Sequence, residues 1–298
     1  MNFLKNLQPF INPFQWIKAR NFALDSLKFD KSHYDLELFL YSKILTNNML
    51  HYGYFEDIHI QPETISFERF EEAQIAYAEN IIEQIQDKDH PILDVGCGMG
   101  GFSELLSKSQ CEVEALTPNK NQIEFIRRHY AHIVTHHCNY EQFDSIRRFG
   151  AIINSESLQY ISLNEAFEKS SKILMPGGRW IIIDYFSLEK KAENQKPHHL
   201  DTFYLKAKEF GWRITYNRDI TLNILPTLAY VAMYVNRFLL PLKQFAYEKL
   251  RYKQPKLYYL SQRLRAFIDR AMVKQVNVVD PIAFKSNRKY MLFVLEKE

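Results

Sequence analysis

Apolar and polar positions change their period twice along this chain of 298 residues. Near the start, Phe3, Leu4, Leu7, Phe10 and Ile11 recur at helical spacing, Pro13 interrupts, and a second helical run covers Phe22 to about Leu40. A charged amphipathic helix, FERFEEAQIAYAENIIEQI, follows between roughly Pro62 and Gln86. From Pro91 the pattern becomes short unbroken apolar runs. PILDVG, CEVEALTP, IVTHHC, GAIINSES and RWIIIDYF read as strands, with helices GGFSELLSKS, NKNQIEFIRRHY and LNEAFEKSSKIL between them. Beyond Asp201 come a helix, DTFYLKAKEFG, a strand, RITYNRDIT, and a last strand, RKYMLFVLEK. Strands alternating with helices at this spacing require parallel pairing through right-handed crossovers, which predicts an open α/β sheet. Pro226 to about Val276 is strongly helical and interrupts that sheet. The predicted division is a helical segment over 1–86, a core over 87–222 with 286–298, and a helical insertion over 223–285.

Composition narrows the function classes. With 46% hydrophobic and 24% charged residues the chain reads as globular, and a net charge of +3 gives no footing for nucleic acid. The insertion departs from that balance, with ten Lys or Arg from Arg237 to Lys274 against Glu248 and Asp269. A solvated face is the plainer account; an anionic membrane surface or an acidic acyl carrier is the alternative. Leu222 to Leu240 is broken by Asn223, Pro226, Asn236 and Arg237, a poor membrane span. Cys97, Cys111 and Cys138 lack metal-ligand spacing, and MNFLKNLQPF lacks the apolar core of a leader. The expectation is therefore a cytoplasmic protein, or one at the membrane periphery, without a metal.

Chemistry concentrates in one loop. Four of the nine glycines fall between Gly96 and Gly101, in Asp94-Val-Gly-Cys-Gly-Met-Gly-Gly101, between a predicted strand and a predicted helix. Such a turn lets backbone approach a nucleotide, with helical N–H groups facing it. Gly96, Gly98 and Gly101 also satisfy the dinucleotide G-x-G-x-x-G pattern. Three features favour S-adenosylmethionine. Asp94 lies two residues before the first glycine, where a carboxylate can hold the loop and an ammonium group. The second strand ends in Leu-Thr-Pro, without the acidic residue a nicotinamide ribose uses. Downstream, Leu174 to Phe186 forms a helix end, a Pro-Gly-Gly turn and a strand.

Together these pieces make Pro91 to Phe186 resemble the cofactor core of class I S-adenosylmethionine-dependent methyltransferases. The resemblance is closest to the branch of cyclopropane fatty acid synthases, tocopherol and sterol C-methyltransferases, and coclaurine-type N-methyltransferases. His51-Tyr-Gly-Tyr-Phe-Glu-Asp57 resembles that branch's aromatic segment over the methionine end of the cofactor. The resemblance implies a Rossmann-like, seven-stranded, mostly parallel sheet with N-terminal helices and a helical cap before the last strand. It implies roles residue by residue: Asp94, Gly96 and Gly98 cradle the amino acid moiety, and Tyr52 and Tyr54 cover its carboxylate. Thr117 and Gln122 sit near the ribose, Asn139 and Tyr140 near adenine, and Ser155 near the sulfonium. Asn139 departs from the acid usual at that place.

Methyl transfer needs alignment and exclusion of water, plus a base only where the acceptor carries a proton. Glu156, at the predicted carboxyl edge of the sheet, is the first candidate for base or cation stabiliser; His51 and Tyr160 are the others. His198-His199 reads as solvent-exposed. Aligning Tyr54-Phe55 with the synthases' Tyr-Ser-Cys-Ala-Tyr-Phe segment puts Tyr52 where their bicarbonate-pocket cysteine stands, which favours simple methylation over cyclopropanation. Apolar residues of the insertion, with Phe10, Phe14 and Trp16, predict a lid over a greasy pocket for a small lipophilic acceptor. The competing functions are a cyclopropane synthase-like lipid enzyme, a non-catalytic cofactor-binding subunit, and a dinucleotide oxidoreductase.

Overall fold

The computed structural model describes residues 12–26, 46–189 and 196–297. The helical run expected over 3–11, and the part beyond Ser26 of the one expected from Phe22 to about Leu40, lie outside them. Helix α1 spans Pro13–Ser26. Pro13 opens this helix instead of breaking one, because a first helical position needs no N–H and Asn12 caps it through Phe14 N–H at 3.0 Å. Helix α2, Phe67–Ile82, starts at Ser66, whose side chain accepts from Arg69 N–H, and buries Ala73, Gln74, Tyr77, Ala78 and Ile81 on one face.

The expected alternation then follows: β1 Ile92–Val95, α3 Gly101–Lys108, β2 Val113–Leu116, α4 Lys120–His129, β3 Val134–His136, β4 Phe149–Ser155, α5 Leu163–Ile173 and β5 Leu174–Ser187. After these come α6 Leu200–Glu209 and β6 Trp212–Asp219. Helix α7, Thr221–Tyr234, runs through a π-helical stretch, Val235–Leu239, into α8, Leu240–Lys253. Helices α9 Pro255–Leu260, α10 Gln262–Val278 and α11 Pro281–Asn287 lead to β7, Arg288–Lys297. Helix α7 begins five residues before Pro226, since Asp219 Oδ1 accepts from both Thr221 N–H (2.9 Å) and the Thr221 hydroxyl (2.5 Å) and so starts the helix early.

The strands form one seven-stranded sheet in the order β3-β2-β1-β4-β5-β7-β6, parallel except for β7, which runs antiparallel to both neighbours. The strand order reverses at β1 and β4, which pair in register from Ile92 with Ala151 to Val95 with Asn154. Ligands of open α/β sheets bind beyond the carboxyl ends of such strands. Both faces are covered, and alternate residues feed two cores. Trp180, Ile182, Phe186, Met291, Phe293 and Leu295 join Phe167 of α5, Phe203 of α6 and Trp212 on one side. Ile181, Ile183, Tyr290, Leu292 and Val294 meet Tyr77 and Ile81 of α2 and Ile224 and Leu228 of α7 on the other.

Phe167 is fully buried, its ring 5.0 Å from Trp180 and 5.7 Å from Phe203. Phe167→Ala opens a cavity that these rigid rings cannot refill. A loss of about 3–5 kcal/mol in urea denaturation is the expected result.

Candidate functional site

A cavity of about 700 Å³ lies at the carboxyl ends of β1, β2 and β4, within the size range of small-molecule sites. Its floor is the turn after β1. Gly96 has φ +81°, and a Cβ there would stand 2.3 Å from Ser157 Cβ, so only glycine fits. Ser157 is fixed in that contact, donating its hydroxyl to Val95 C=O at 2.5 Å while accepting from Asn154 Nδ2 at 2.9 Å. Gly101 makes room on the opposite side: a Cβ there would come 2.3 Å from Asn47 C=O. That closeness lets residues 47–51 run as a strap across the loop. Gln74 of α2 holds the strap by donating to Met49 C=O (2.9 Å) and His51 C=O (2.7 Å), and Asn48 donates to the Tyr130 hydroxyl at 2.7 Å.

Most of the residues expected around a nucleotide do line this cavity. Asp94, Gly96, Gly98, Thr117, Gln122, Asn139, Tyr140 and Ser155 all border it. Asp94 is buried and accepts from the Ser103 hydroxyl at 2.5 Å; burial pushes its carboxyl up to about 6, the hydrogen bond acting the other way. The Thr117 hydroxyl donates to Gln122 Oε1 at 2.7 Å, so the two form one polar wall. Tyr140 is buried, with its hydroxyl 2.8 Å from that of Ser170.

Glu156 also borders the cavity, one residue beyond β4 and with φ +52°, a left-handed conformation uncommon outside glycine. Its Oε1 accepts from the Tyr290 hydroxyl (2.6 Å) and from Tyr52 N–H (2.8 Å). Burial, partly offset by those two bonds, pushes its carboxyl up to about 7. Tyr290 of β7 has committed its one proton to Glu156. The Tyr77 hydroxyl, 2.9 Å away, must therefore donate to Tyr290, and Ser155, at 3.2 Å, to Tyr77. A hydrogen-bonded chain thus joins Ser155, Tyr77, Tyr290 and Glu156. Burial raises both phenols well above their ordinary values, which keeps them neutral.

His51 lines the cavity and stacks on Tyr77, ring centroids 4.2 Å apart. Its Nδ1 lies 2.9 Å from Tyr52 C=O and so carries the proton, leaving Nε2 as a buried acceptor without a protein partner among the described residues. Burial lowers its pKa to about 4, so the ring is neutral near pH 7. Tyr160 lies at the rim, 64% exposed, and Lys196 donates to its carbonyl at 3.1 Å.

Tyr52 and Tyr54 sit elsewhere than expected: neither borders the cavity. The chain turns inward after His51, where Gly53 packs so closely on α2 that a Cβ would lie 2.8 Å from Ala73 Cβ. Tyr52 then packs on Tyr290 (5.7 Å), and the Tyr54 hydroxyl accepts from Arg218 of β6 at 2.5 Å. Asn48 to His51 provide the cover instead. Among its described residues the insertion, expected as a lid, contributes none to the cavity lining; Phe14 and Trp16 are exposed, and Phe10 lies outside the described residues. His198 is buried, donating towards the carbonyls of Leu158 and Ile161, so its expected exposure is corrected. Tyr77, Tyr290 and Ser157 were not singled out from the sequence. Only Ser157, next in the chain to Glu156, stood beside a residue that was.

Comparisons with known proteins bear on the domain and the fold. Residues 92–178 match the family described as a methyltransferase domain. A geranyl diphosphate 2-C-methyltransferase of Saccharopolyspora erythraea is 29% identical over 36% of this chain and 42% of its own length. A sterol 4-C-methyltransferase of Caenorhabditis elegans is 23% identical over 50% of this chain and 48% of its own. The chain thus spans less than half the length of these curated relatives. Among solved structures, a geranyl diphosphate methyltransferase in complex with S-adenosylmethionine aligns with a TM-score of 0.60 at 17% identity, covering 84% of this chain and 98% of that one. The [4+2]-cyclase SpnF aligns with a TM-score of 0.61 at 15% identity, covering 87% and 93%. Likeness at these identities shows a shared fold.

Asp184, buried behind the site and accepting from Gln159 N–H and Tyr185 N–H, is pushed by burial up to about 8. Glu156 and Asp184 therefore hold protons in the folded protein that the unfolded chain, near 4.5 and 3.8, releases. Their contribution to stability is intact below about pH 4 and is lost as pH climbs through about 7 to 8. Thermal melts of ligand-free protein should fall across that window. Glu156→Gln should shrink the fall by about 3 °C or more.

Proposed function

We propose that the chain, whose residues 92–178 match a methyltransferase domain, is a class I S-adenosylmethionine-dependent methyltransferase that moves a methyl group to a small lipophilic acceptor. The observation that carries this reading is that the glycine turn and the buried Glu156 carboxyl share one cavity. Asp94, Gly96 and Gly98 fit the amino acid moiety of the cofactor, Thr117 and Gln122 its ribose, and Asn139 and Tyr140 its adenine. Once bound, S-adenosylmethionine supplies a methyl group already activated on a sulfonium. What remains for the protein is to align the acceptor, keep water out and manage charge.

Glu156 is suited to the last of these tasks. A carboxyl poised at about 7 accepts a proton near neutral pH, and its anion stabilises a cation developing on an acceptor carbon. The chain through Tyr290 and Tyr77 holds the carboxylate in place and leaves Ser155 as its end at the cavity. His51 Nε2 offers a second, neutral acceptor. Met49, Leu50, Phe102 and Ile161 give the cavity the apolar surface that a lipophilic acceptor requires. The acceptors named for the relatives, geranyl diphosphate and a sterol, are of this class. Three free thiols support a reducing compartment, and we place the activity in the cytoplasm.

The test is methyl transfer from labelled S-adenosylmethionine to a panel of isoprenoid diphosphates, sterols and unsaturated acyl lipids. A methylated product with stoichiometric demethylated cofactor is expected, at a rate that rises through about pH 7 as Glu156 ionises. Glu156→Gln should lower kcat by about a hundredfold or more while cofactor affinity, read by calorimetry, stays within about threefold. Tight cofactor binding without turnover on any acceptor would instead support a non-catalytic subunit.

A further inference from the structure

The insertion leaves the core soon after it begins. Among the described residues Tyr230 is its last buried one before Phe284, and no described side chain over 231–283 is buried. The segment is nevertheless ordered as a hairpin: Lys243 of α8 pairs with Asp269 of α10 at 2.7 Å, and the Arg265 guanidinium lies 3.5 Å from the centroid of the Tyr258 ring. Its large apolar side chains face outward. Phe238, Phe245, Tyr252, Tyr259, Leu260 and Phe267 are each 62–84% exposed. An exposed surface of this kind on a folded protein marks a contact with something else.

Charge says what that something is. Between Arg237 and Lys274 ten basic residues stand against two acidic ones, a net +8 in a chain whose total is +3, so the rest of the chain is net negative. The positive charge has been gathered onto the part that exposes aromatic rings. The two kinds of group are interleaved, with Lys249 Nζ 5.7 Å from the Phe245 ring and Lys253 Nζ 5.9 Å from that of Tyr252. Rings sinking into an apolar phase while adjacent ammonium groups meet anions is the arrangement of an interfacial helix. A second copy of this arm would bring like charge against like charge. An acidic protein would match the charge but would leave rings on both helices in water.

The continuous helix Thr221–Lys253 is long and apolar enough, by length and composition, to cross a bilayer. Its first turns are taken, however, with Ile224, Leu228 and Tyr230 buried in the core and Asn223 bonded to Phe55 C=O at 2.9 Å. Arg237, Lys243 and Lys249 then recur every six residues, which suits a headgroup layer and not a hydrocarbon interior. We propose that the arm over 231–283 docks the protein on the surface of an anionic lipid bilayer, lying in the headgroup layer with its aromatic side chains inserted. Because the arm lines no part of the cavity, the proposal stands or falls separately from the methyl-transfer reading.

Sedimentation of the full chain with vesicles tests it, comparing phosphatidylcholine alone with phosphatidylcholine containing about one-third phosphatidylglycerol. Partition onto the anionic vesicles should be about tenfold stronger or more, and should weaken about tenfold between low salt and about 0.5 M salt. Lys249→Glu with Arg251→Glu and Lys253→Glu, and separately Phe245→Ser with Tyr252→Ser, should each reduce partition about tenfold. Calorimetric cofactor binding unchanged in both variants shows that they remain folded. Equal binding to both vesicle types, or none at low salt, would overturn the proposal. So would a dimer in ultracentrifugation that dissociates on Phe245→Ser with Tyr252→Ser, or saturable binding to an acidic acyl carrier protein without vesicle binding.

Discussion

A carboxylate withdrawn from water must be given partners, and the site is organised around how Glu156 is given its own. The donors come from two places remote in sequence, Tyr52 N–H immediately after the strap and the Tyr290 hydroxyl on β7. Neither can be in position unless α2, the strap and the antiparallel strand have all packed. Tyr77 couples the three, touching Ser155 of β4, Tyr290 of β7 and His51 of the strap. The left-handed backbone of Glu156 belongs to the same constraint, since its N–H is fixed on Ile183 C=O at 2.9 Å. Strain at this residue is held by the sheet on one side and the tyrosines on the other.

The glycine turn meets that arrangement from the opposite direction. Ser157, the next residue after Glu156, closes onto Val95 C=O and Gly96, so the loops after β1 and β4 are one unit. The strap is laid over it where Gly101 makes room for Asn47. A ligand in the cavity therefore touches the turn, the strap and the end of β4 together. Residues 48–51 line the cavity and the next residue, Tyr52, donates its N–H to Glu156, so one short run of chain serves both the cavity wall and the carboxyl.

What was legible in the sequence was what short-range patterns encode. Unbroken apolar runs located β1, β2, β4 and β5, and β7 falls on the 288–297 expected for it, because strands buried on both faces leave no polar alternation to confuse. The glycine turn was legible because positive φ and close approach restrict the residue locally. Tyr77 and Tyr290 were not, since 213 positions separate them and each reads as an ordinary apolar residue of its own element. The His51-to-Asp57 segment was half legible. Its aromatic content pointed to the site, but Gly53 against Ala73 turns the chain so that His51 faces the cavity and Tyr54 faces Arg218.

The insertion follows a different rule from the rest of the molecule. In the core, apolar residues are buried and ionisable groups are either paired or neutralised, as the raised carboxyls of Glu156 and Asp184 and the neutral His51 attest. Over 231–283 the same residue types stay at the surface, and the pairs that do form, such as Lys243 with Asp269, fix helix against helix without burying either. Hydrophobic burial cannot account for the order of that segment by itself, because no described side chain in it is buried. Its helices take their order from local pairs, from the anchorage of α7, where Ile224, Leu228 and Tyr230 enter the core, and from Arg237 of the π-helical stretch, which pairs with Glu63. A fold that keeps its neutralised site and its charged, aromatic surface on separate elements can alter either without disturbing the other.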